Sequence, residues 1–280
     1  MKLIKTVSIL DDIKSIRKID KSGMGGILNR LPEDCEDALK IAEKLKVSNK
    51  LKIGKILMEY KRPEKILIAG VGGSAIGGDI LKDWLKDYLS IPIEVCREYR
   101  LPAYANSRTL IFAISYSGNT EETLSGFIDA IQKGCMIIAI TSGGLLLDFC
   151  RKLKVPTIIV PAGLPPRAAL PYLLFPAIVS LAKFGLLNGE EKEINETIKT
   201  LKKIRQFIRV ETPASKNLAK KLAIALKGTI PVIYGFREYK SIALRIKNQL
   251  NENSKIPAMS AVFPELDHND IAGWDVQKGL

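Results

Sequence analysis

The sequence predicts an α/β protein: a parallel sheet flanked by helices, followed by the start of a second, smaller α/β unit. Short apolar runs rich in β-branched residues alternate along the chain with amphipathic stretches of helical length, which is the pattern of a parallel sheet with crossover helices. The composition is that of a folded protein, since 46% of the 280 residues are hydrophobic and 26% are charged.

The main sheet is predicted to have five strands, because five apolar runs are separated by stretches long enough for crossover connections. Amphipathic helices are predicted in these gaps and after the last strand, and two more are predicted upstream, outside the sheet. The strands are predicted at residues 65–69, 91–96, 109–114, 135–140 and 156–160, the helices that follow them at 74–89, 119–133, 145–153 and 168–187, and the upstream helices at 32–46 and 51–60.

A second unit is predicted after a long polar helix at residues 190–210. The stretch Glu211-Thr-Pro-Ala-Ser215 is a predicted linker, and the pattern then restarts. Two strands make too small a sheet for an independent domain. Either they complete the first sheet or the second unit stops short of a full domain, and we favour the latter, with domains at 1–211 and 212–280. The restarted pattern consists of helices at 216–226 and 238–250 and strands at 229–234 and 258–263.

The net charge is +13, from 43 Lys and Arg against 30 Asp and Glu. The lysines are interleaved with glutamates at helical spacing, as in residues 192–210, which favours solvated helix faces over a nucleic-acid surface. No nucleic-acid motif accompanies them. We therefore expect no nucleic-acid partner, although a positive protein attracts small anions.

Membrane insertion, export and metal binding are not indicated either. No apolar run reaches the roughly 18–20 residues of a membrane span, and Asp11 and Asp12 interrupt the N-terminal stretch where a signal peptide would stay apolar. The four cysteines lack CxxC spacing, which is typical of reduced thiols in the cytoplasm. With one histidine in the chain, a His-rich metal site is excluded and no metal is predicted.

A glycine-rich loop, Gly70-Val-Gly72-Gly73-Ser74, follows the first strand and opens a helix. Glycines at this point let backbone N–H groups approach a ligand, and a helix N-terminus favours an anion. The stretch from Gly70 to Ala75 also matches a degenerate dinucleotide fingerprint, with Glu94 near the end of the next strand. A nicotinamide-dependent dehydrogenase is therefore one hypothesis, although such a loop alone is a weak signal.

A second loop, Ser115-Tyr-Ser117-Gly118-Asn119-Thr120, follows the third strand. Its three hydroxyls and its glycine at the entry to a helix suit a phosphate cradle, although Asn119 and Glu122 alone would satisfy a capping box. A third loop, Thr141-Ser142-Gly143-Gly144, follows the fourth strand in the same way. Loops at the carboxyl ends of neighbouring parallel strands line one crevice, where such sheets bind ligands.

These loops, GVGGSAIGGD, SYSGNTEET and TSGG, resemble the sugar isomerase (SIS) fold. With the tracts PAGLPPRAAL (161–170), NQLNENSK (248–255) and PELDHN (264–269), the chain resembles the archaeal-type bifunctional phosphoglucose/phosphomannose isomerases from about residue 20 onwards. That resemblance implies a cofactor-free homodimer of two-SIS-domain chains. It also implies an isomerase of carbohydrate metabolism, in glycolysis and gluconeogenesis, which interconverts glucose 6-phosphate and mannose 6-phosphate with fructose 6-phosphate.

The resemblance also implies roles for individual residues. Glu252 matches the catalytic base, His268 the ring-opening residue, and Arg167 the arginine that would stabilise enediolate charge. From the residues alone, Glu252 lies near a predicted helix end, whose dipole disfavours ionisation. Ser74, Ser115, Ser117 and Thr120 match the phosphate-binding positions of the family. Gly72 and Gly73 would let the backbone approach the ligand.

A non-catalytic phosphosugar-binding module of the SIS type is the main alternative. Family members continue beyond the motif matched by His268 and carry a late active-site lysine that has no matching position in this sequence. We therefore expect the second SIS domain to be incomplete. Replacing Glu252 with a neutral residue separates the two hypotheses, because an isomerase would lose catalysis while sugar-phosphate binding survived.

Overall fold

A computed structural model describes residues 9–274 and begins with helices that pack outside the sheet. The longest of them, α3, packs against a later helix through its buried face. The first three helices are α1 (Ile13–Ile19), α2 (Met24–Asn29) and α3 (Leu31–Glu43).

The prediction of a helix at residues 51–60 is wrong, because this segment forms a hairpin of β1 (Lys50–Ile53) and β2 (Ile56–Glu59). Burial alternates along the hairpin, since Leu51, Ile53 and Met58 face inward while Lys52 and Leu57 are exposed, which is the period of a strand. Gly54 makes the turn with a φ of +59°, a left-handed conformation that suits glycine. Met58 is fully buried against the core.

Five parallel strands form the central sheet in the order β4-β3-β5-β6-β7. The middle strands β5 and β6 are buried along their whole lengths, so their carboxyl ends lie at the centre of one sheet edge. This sheet confirms the predicted fold class, with boundaries shifted by no more than two residues. Its strands are β3 (Lys65–Ala69), β4 (Ile93–Cys96), β5 (Thr109–Ile114), β6 (Met136–Thr141) and β7 (Thr157–Ile159).

Helices cover both faces of this sheet, and β3, β5 and β6 each lead into a helix through a short loop. A 3-10 turn, Pro166–Ala168, follows β7 and directs the chain into a largely buried helix. The helices of this region are α4 (Gly73–Leu85), α5 (Glu121–Gln132), α6 (Gly144–Leu153), α7 (Leu170–Lys183) and α8 (Glu190–Ile208).

Helices α3 and α7 contact each other, and a polar cluster around the buried Tyr172 lies at this contact. The Tyr172 hydroxyl lies 3.2 Å from Asp34 Oδ1 and 3.1 Å from Asp37 Oδ2. Asp34 is only 5% exposed, and burial raises the pKa of its carboxyl above the ordinary aspartate value, partly opposed by the bond to Tyr172.

The segment after α8 forms a second, small sheet of two parallel strands that pair with each other and not with the central sheet. Its helix α10 packs against α4, where the Asp83 carboxylate accepts a hydrogen bond of 2.7 Å from the Ser241 backbone N–H. The elements are α9 (Leu218–Ala225), β8 (Val232–Phe236), α10 (Lys240–Gln249), β9 (Met259–Phe263) and α11 (Asp270–Trp274).

Two short helical turns complete this second unit: Leu250–Ser254 continues α10 as a π-helical turn, and Glu265–His268 is a 3-10 turn after β9. Across residues 9–274, none of the helices combines the length and the apolar character that a membrane crossing requires. The same residues contain no cluster of three His, Cys, Asp or Glu side chains placed to hold a metal ion.

Candidate active site

The loops that follow β5 and β6 touch each other at the carboxyl edge of the sheet. A Cβ atom added to Gly118 would lie 1.7 Å from the Gly143 carbonyl oxygen, and one added to Gly144 would lie 2.4 Å from the Ser117 carbonyl oxygen. Both glycines also have positive φ angles. Only glycine therefore allows this contact, which places the second and third loops side by side, as predicted for a common crevice.

Hydrogen bonds within the second loop hold its hydroxyls in place. Ser115 is fully buried, and its Oγ lies 2.9 Å from Thr120 Oγ1 and accepts the Gly118 backbone N–H at 3.1 Å. The Asn119 side chain does not cap α5 as a capping box would require. Its Oδ1 instead accepts the Leu145 N–H at 3.0 Å, at the start of α6. Sequence reasoning missed this role because the partner is 26 residues away.

Ser117 is the exposed hydroxyl of this loop, and its Oγ accepts only the Asn119 N–H, at 3.3 Å. Thr120 is half-buried beside it. By contrast, the third loop uses its hydroxyls internally, because Thr141 Oγ1 donates to the Gly143 carbonyl and Ser142 Oγ to the Tyr116 carbonyl. Ser117 therefore has the most exposed hydroxyl on these two loops, and Thr120 Oγ1, which bonds to Ser115, lies beside it.

The first loop brings Ser74 and Gly72 to the same edge. The Ser74 hydroxyl is buried and accepts the Tyr116 N–H at 3.3 Å, which ties the first loop to the second. Gly72 has a φ of +56° and nothing within 4 Å of an added Cβ, so space beside it is open. Gly73 was predicted to leave room for a ligand, but the space beside it is occupied by the Pro166 carbonyl oxygen, which would lie 2.8 Å from an added Cβ.

Arg167 follows Pro166 in the 3-10 turn, and a ring of hydrogen bonds joins it to the second unit. Its Nε donates to Asn253 Oδ1 at 2.6 Å, and Asn253 Nδ2 donates to Gln249 Oε1 at 2.7 Å. Gln249 Nε2 returns to the Arg167 carbonyl oxygen at 3.3 Å, and Arg245 donates to the same oxygen at 3.1 Å. The arginine is thus fixed to the turn that carries Glu252.

Glu252 lies exposed on the π-helical turn, next to Asn253. It is close enough to Arg245 to act on that guanidinium: burial lowers the Arg245 pKa, and the Glu252 carboxylate opposes this shift. His268 is exposed at the end of its 3-10 turn and has no hydrogen bond to Arg167 or Glu252 among the described residues. Among the described residues, hydrogen bonds therefore join Arg167 to the Glu252 turn but do not join His268 to either.

Sequence reasoning also missed Tyr116 as an organiser of the proline-rich tract. Its hydroxyl donates to the Pro161 carbonyl at 2.8 Å and accepts the Leu164 N–H at 2.9 Å, which anchors the segment that leads to Arg167. A tyrosine between two serines of a phosphate-like loop gave no signal of this role. The amide-rich tract 248–255 was the available signal for Gln249 and Asn253.

Two other chemistries receive no support from the geometry. Burial raises the pKa of the Cys35 and Cys135 thiols to about 12, so neither thiol provides a thiolate nucleophile near neutral pH. Glu94, the acid that a dinucleotide site would need for the ribose, is bound by the Tyr104 hydroxyl. The nicotinamide hypothesis is thereby weakened at the residue on which it depends.

Comparison with known proteins gives two family matches. The SIS domain model matches residues 59–145, which contain all three loops. The model described as the bacterial phospho-glucose isomerase C-terminal SIS domain matches residues 215–280, which contain the turn with Glu252 and Asn253. The Gln249 and Asn253 side of the ring thus falls within a matched SIS domain, whereas Arg167 lies between the two matched ranges.

Individual proteins extend these matches. A bifunctional phosphoglucose/phosphomannose isomerase of Caldicellulosiruptor bescii is 44% identical over 89% of this chain and 71% of its own length. A D-glucosamine-6-phosphate 4-epimerase of Sulfolobus acidocaldarius is 32% identical, covering 77% of this chain and 67% of that protein.

Among solved structures, a presumed phosphosugar isomerase from Clostridium difficile 630 superposes with a TM-score of 0.67 at 18% identity, covering 88% of this chain and 70% of that one. This likeness shows the fold. The sequence matches go further, because a relative at 44% identity covers nearly the whole chain. The chain belongs to the bifunctional phosphoglucose/phosphomannose isomerase family.

Proposed function

We propose that the chain is an aldose–ketose isomerase that interconverts glucose 6-phosphate and mannose 6-phosphate with fructose 6-phosphate. The observation that carries the proposal is the hydrogen bond between Arg167 and Asn253. It joins Arg167 to the turn that carries Glu252, and Pro166, the neighbour of Arg167, lies against Gly73 of the first loop. Family membership favours this catalytic function over the non-catalytic sugar-phosphate binder.

In the proposed reaction, the phosphate is held at the carboxyl edge of the sheet by the loops of Ser74, Ser117 and Thr120. Their N–H and O–H groups are donors for phosphate oxygens, and the N-termini of α4 and α5 add favourable dipoles. Ser115 stabilises the loop and does not bind the phosphate itself, since its buried hydroxyl bonds to Thr120 and Gly118. The other end of the sugar then extends towards Arg167.

Glu252 is the proposed base that removes the C2 proton of the opened aldose phosphate and returns it to C1, while the hydroxyl proton moves from O2 to O1. The intermediate enediolate carries negative charge, which the Arg167 guanidinium would stabilise. Glucose and mannose phosphates differ only at C2 and lose that difference in the common enediol. One site can therefore accept both if the sugar rotates about C2–C3.

His268 is the proposed ring-opening acid. Because it is exposed and makes no hydrogen bond to the Arg167 ring among the described residues, the proposal includes a homodimer, as the family resemblance implies. Exposed apolar side chains of the second unit, among them Phe236 and Met259, provide surface for such an assembly. A location in the cytoplasm is also proposed and fits the four buried, unpaired cysteines.

The test is a coupled assay of fructose 6-phosphate formation from both hexose phosphates, with chelator present. We expect turnover of both substrates, and Glu252→Gln should abolish turnover while calorimetric binding of the sugar phosphate persists. Conversion of glucosamine 6-phosphate instead would assign the chain to epimerisation. Binding without turnover in the unmodified protein would support the non-catalytic alternative, and an NAD(H)-dependent absorbance change would support the dehydrogenase.

A further inference from the structure

The amides of Asn253 and Gln249 are oriented by one another, so their contact with Arg167 has a single consistent pattern. Asn253 Nδ2 donates to Gln249 Oε1, and therefore Asn253 Oδ1 faces the Arg167 Nε–H at 2.6 Å. Gln249 Nε2 in turn faces the Arg167 carbonyl oxygen at 3.3 Å. If either amide were flipped, one of its two hydrogen bonds would become a donor facing a donor and the other an acceptor facing an acceptor.

This ring holds Arg167 by its Nε atom and leaves the outer part of the guanidinium free. Among the described residues, neither terminal nitrogen of Arg167 makes a hydrogen bond. Four N–H donors therefore remain for a planar anionic group. Holding an arginine at Nε removes much of its rotational freedom, so less entropy is lost when it binds an anion.

The ring also spans two parts of the chain that sequence separates by 86 residues. In the chain, Arg167 lies on the 3-10 turn between β7 and α7, whereas Asn253 and Glu252 are neighbours on the turn after α10. Asn253 therefore sets the distance between the cation and the carboxylate that the proposed reaction needs together.

We propose that Asn253, oriented by Gln249, is a positioning residue that aims the Arg167 guanidinium at the negative charge formed at C1 and C2 of the substrate. The inference rests on the proposed function, because that function supplies the enediolate. Asn253 acts through Arg167 and needs no contact with the substrate.

The test uses two phosphorylated probes of the same carbon length on the full chain. 6-Phosphogluconate carries a carboxylate at C1, whereas sorbitol 6-phosphate is neutral there, and both carry the phosphate. By calorimetry, Asn253→Ala should weaken 6-phosphogluconate about tenfold or more and leave sorbitol 6-phosphate within about twofold. In the Arg167→Ala background, Asn253→Ala should have no further effect on either probe.

The matched control is Asn251→Ala on the same turn. Asn251 Oδ1 accepts the Ala258 N–H at 3.0 Å and has no hydrogen bond to Arg167, so its loss should lower stability without any preference between the probes. Kinetics give a second readout: Asn253→Ala should lower kcat at least tenfold with KM within about threefold.

An equal loss for both probes in Asn253→Ala, or an added loss in the Arg167→Ala background, would overturn the inference. Equal affinity of the unmodified protein for the two probes would overturn it as well. Because the probe comparison needs no turnover, it stays decisive even if the unmodified protein isomerises neither hexose phosphate, a result that would refute only the proposed function.

Discussion

Ser117 and Ser115 lie in one loop but differ in what their hydroxyls already contact. Ser117 is exposed, so Ser117→Ala should raise KM for the sugar phosphate about tenfold or more, because each hydrogen bond to a charged group contributes about 1.5–3 kcal/mol. Its melting temperature should stay unchanged. Steady-state kinetics and calorimetry on the same sample check both expectations.

Ser115→Ala is the matched comparison. Its hydroxyl is fully buried and joins Thr120 to Gly118, so its removal should lower the melting temperature as well as affinity. An unchanged KM in Ser117→Ala would contradict the phosphate cradle, whatever Ser115→Ala does.

Residue types in the loops could be predicted to suit phosphate, because each loop combines small hydroxyls and glycine at a helix entry. What each residue contacts could not be predicted. Gly73 was expected to give room to a ligand, yet its space is taken by the Pro166 carbonyl. Asn253 gave no individual signal because its partner lies 86 residues away in the chain.

At the scale of elements, the start of α4 and the 3-10 turn before α7 are in close contact at Gly73. In Gly73→Ala the added methyl would lie 2.8 Å from the Pro166 carbonyl oxygen, so the turn must move and take Arg167 with it. We expect kcat to fall about tenfold or more, because a small misplacement of a catalytic group is costly. Steady-state assays measure the change.

Gly26→Ala in α2 is the control for this substitution. An added Cβ there has nothing within 4 Å and its φ is ordinary, so alanine should leave kcat unchanged and slightly favour the helix. If Gly73→Ala also left kcat unchanged, the Gly73–Pro166 contact would have no part in placing Arg167.

The contact between α3 and α7 predicts a pH-dependent effect on stability. The folded-state pKa of Asp34 is raised by burial, so its ionisation destabilises the fold as pH rises through that value. Asp34→Asn should therefore be the more stable protein at pH 8, by about 1 kcal/mol or roughly 2 °C. The gain should vanish as the pH approaches the ordinary aspartate pKa.

Scanning calorimetry at pH 4.5 and pH 8 measures this difference. Asp37→Asn is the control, since Asp37 bonds to the same tyrosine but is exposed, and its replacement should change the melting temperature less. A gain for Asp34→Asn that was the same at both pH values would show that ionisation is not its cause.

Elements of the central sheet could be predicted because buried parallel strands are short, continuous apolar runs. The hairpin at residues 50–59 could not be recognised in the same way, because Ile56, Leu57 and Met58 are consecutive apolar residues that interrupt the alternation expected of a half-buried strand. Gly54, which makes the turn with a positive φ, was the available signal for a hairpin.

For the whole molecule, the net charge of +13 should accelerate capture of a doubly charged phosphosugar. We expect kcat/KM to fall several-fold as sodium chloride rises from 20 to 500 mM, because added salt shortens the range of electrostatic attraction, while kcat changes little. Sucrose at equal osmolarity is the control. A kcat/KM independent of salt would contradict electrostatic capture.

The separation of the central sheet from the β8–β9 sheet has a consequence for inheritance and engineering. The phosphate-cradle candidates lie on one unit, whereas Glu252 and the amide that holds Arg167 lie on the other. Under the proposed function, affinity for the phosphate and turnover would therefore depend on different units, which recombination could exchange. A chimera that takes residues 215–280 from a relative should keep the phosphate affinity of this chain but acquire the turnover rate of the relative. This outcome requires that the relative's residues at positions 249 and 253 form the same hydrogen bonds with Arg167.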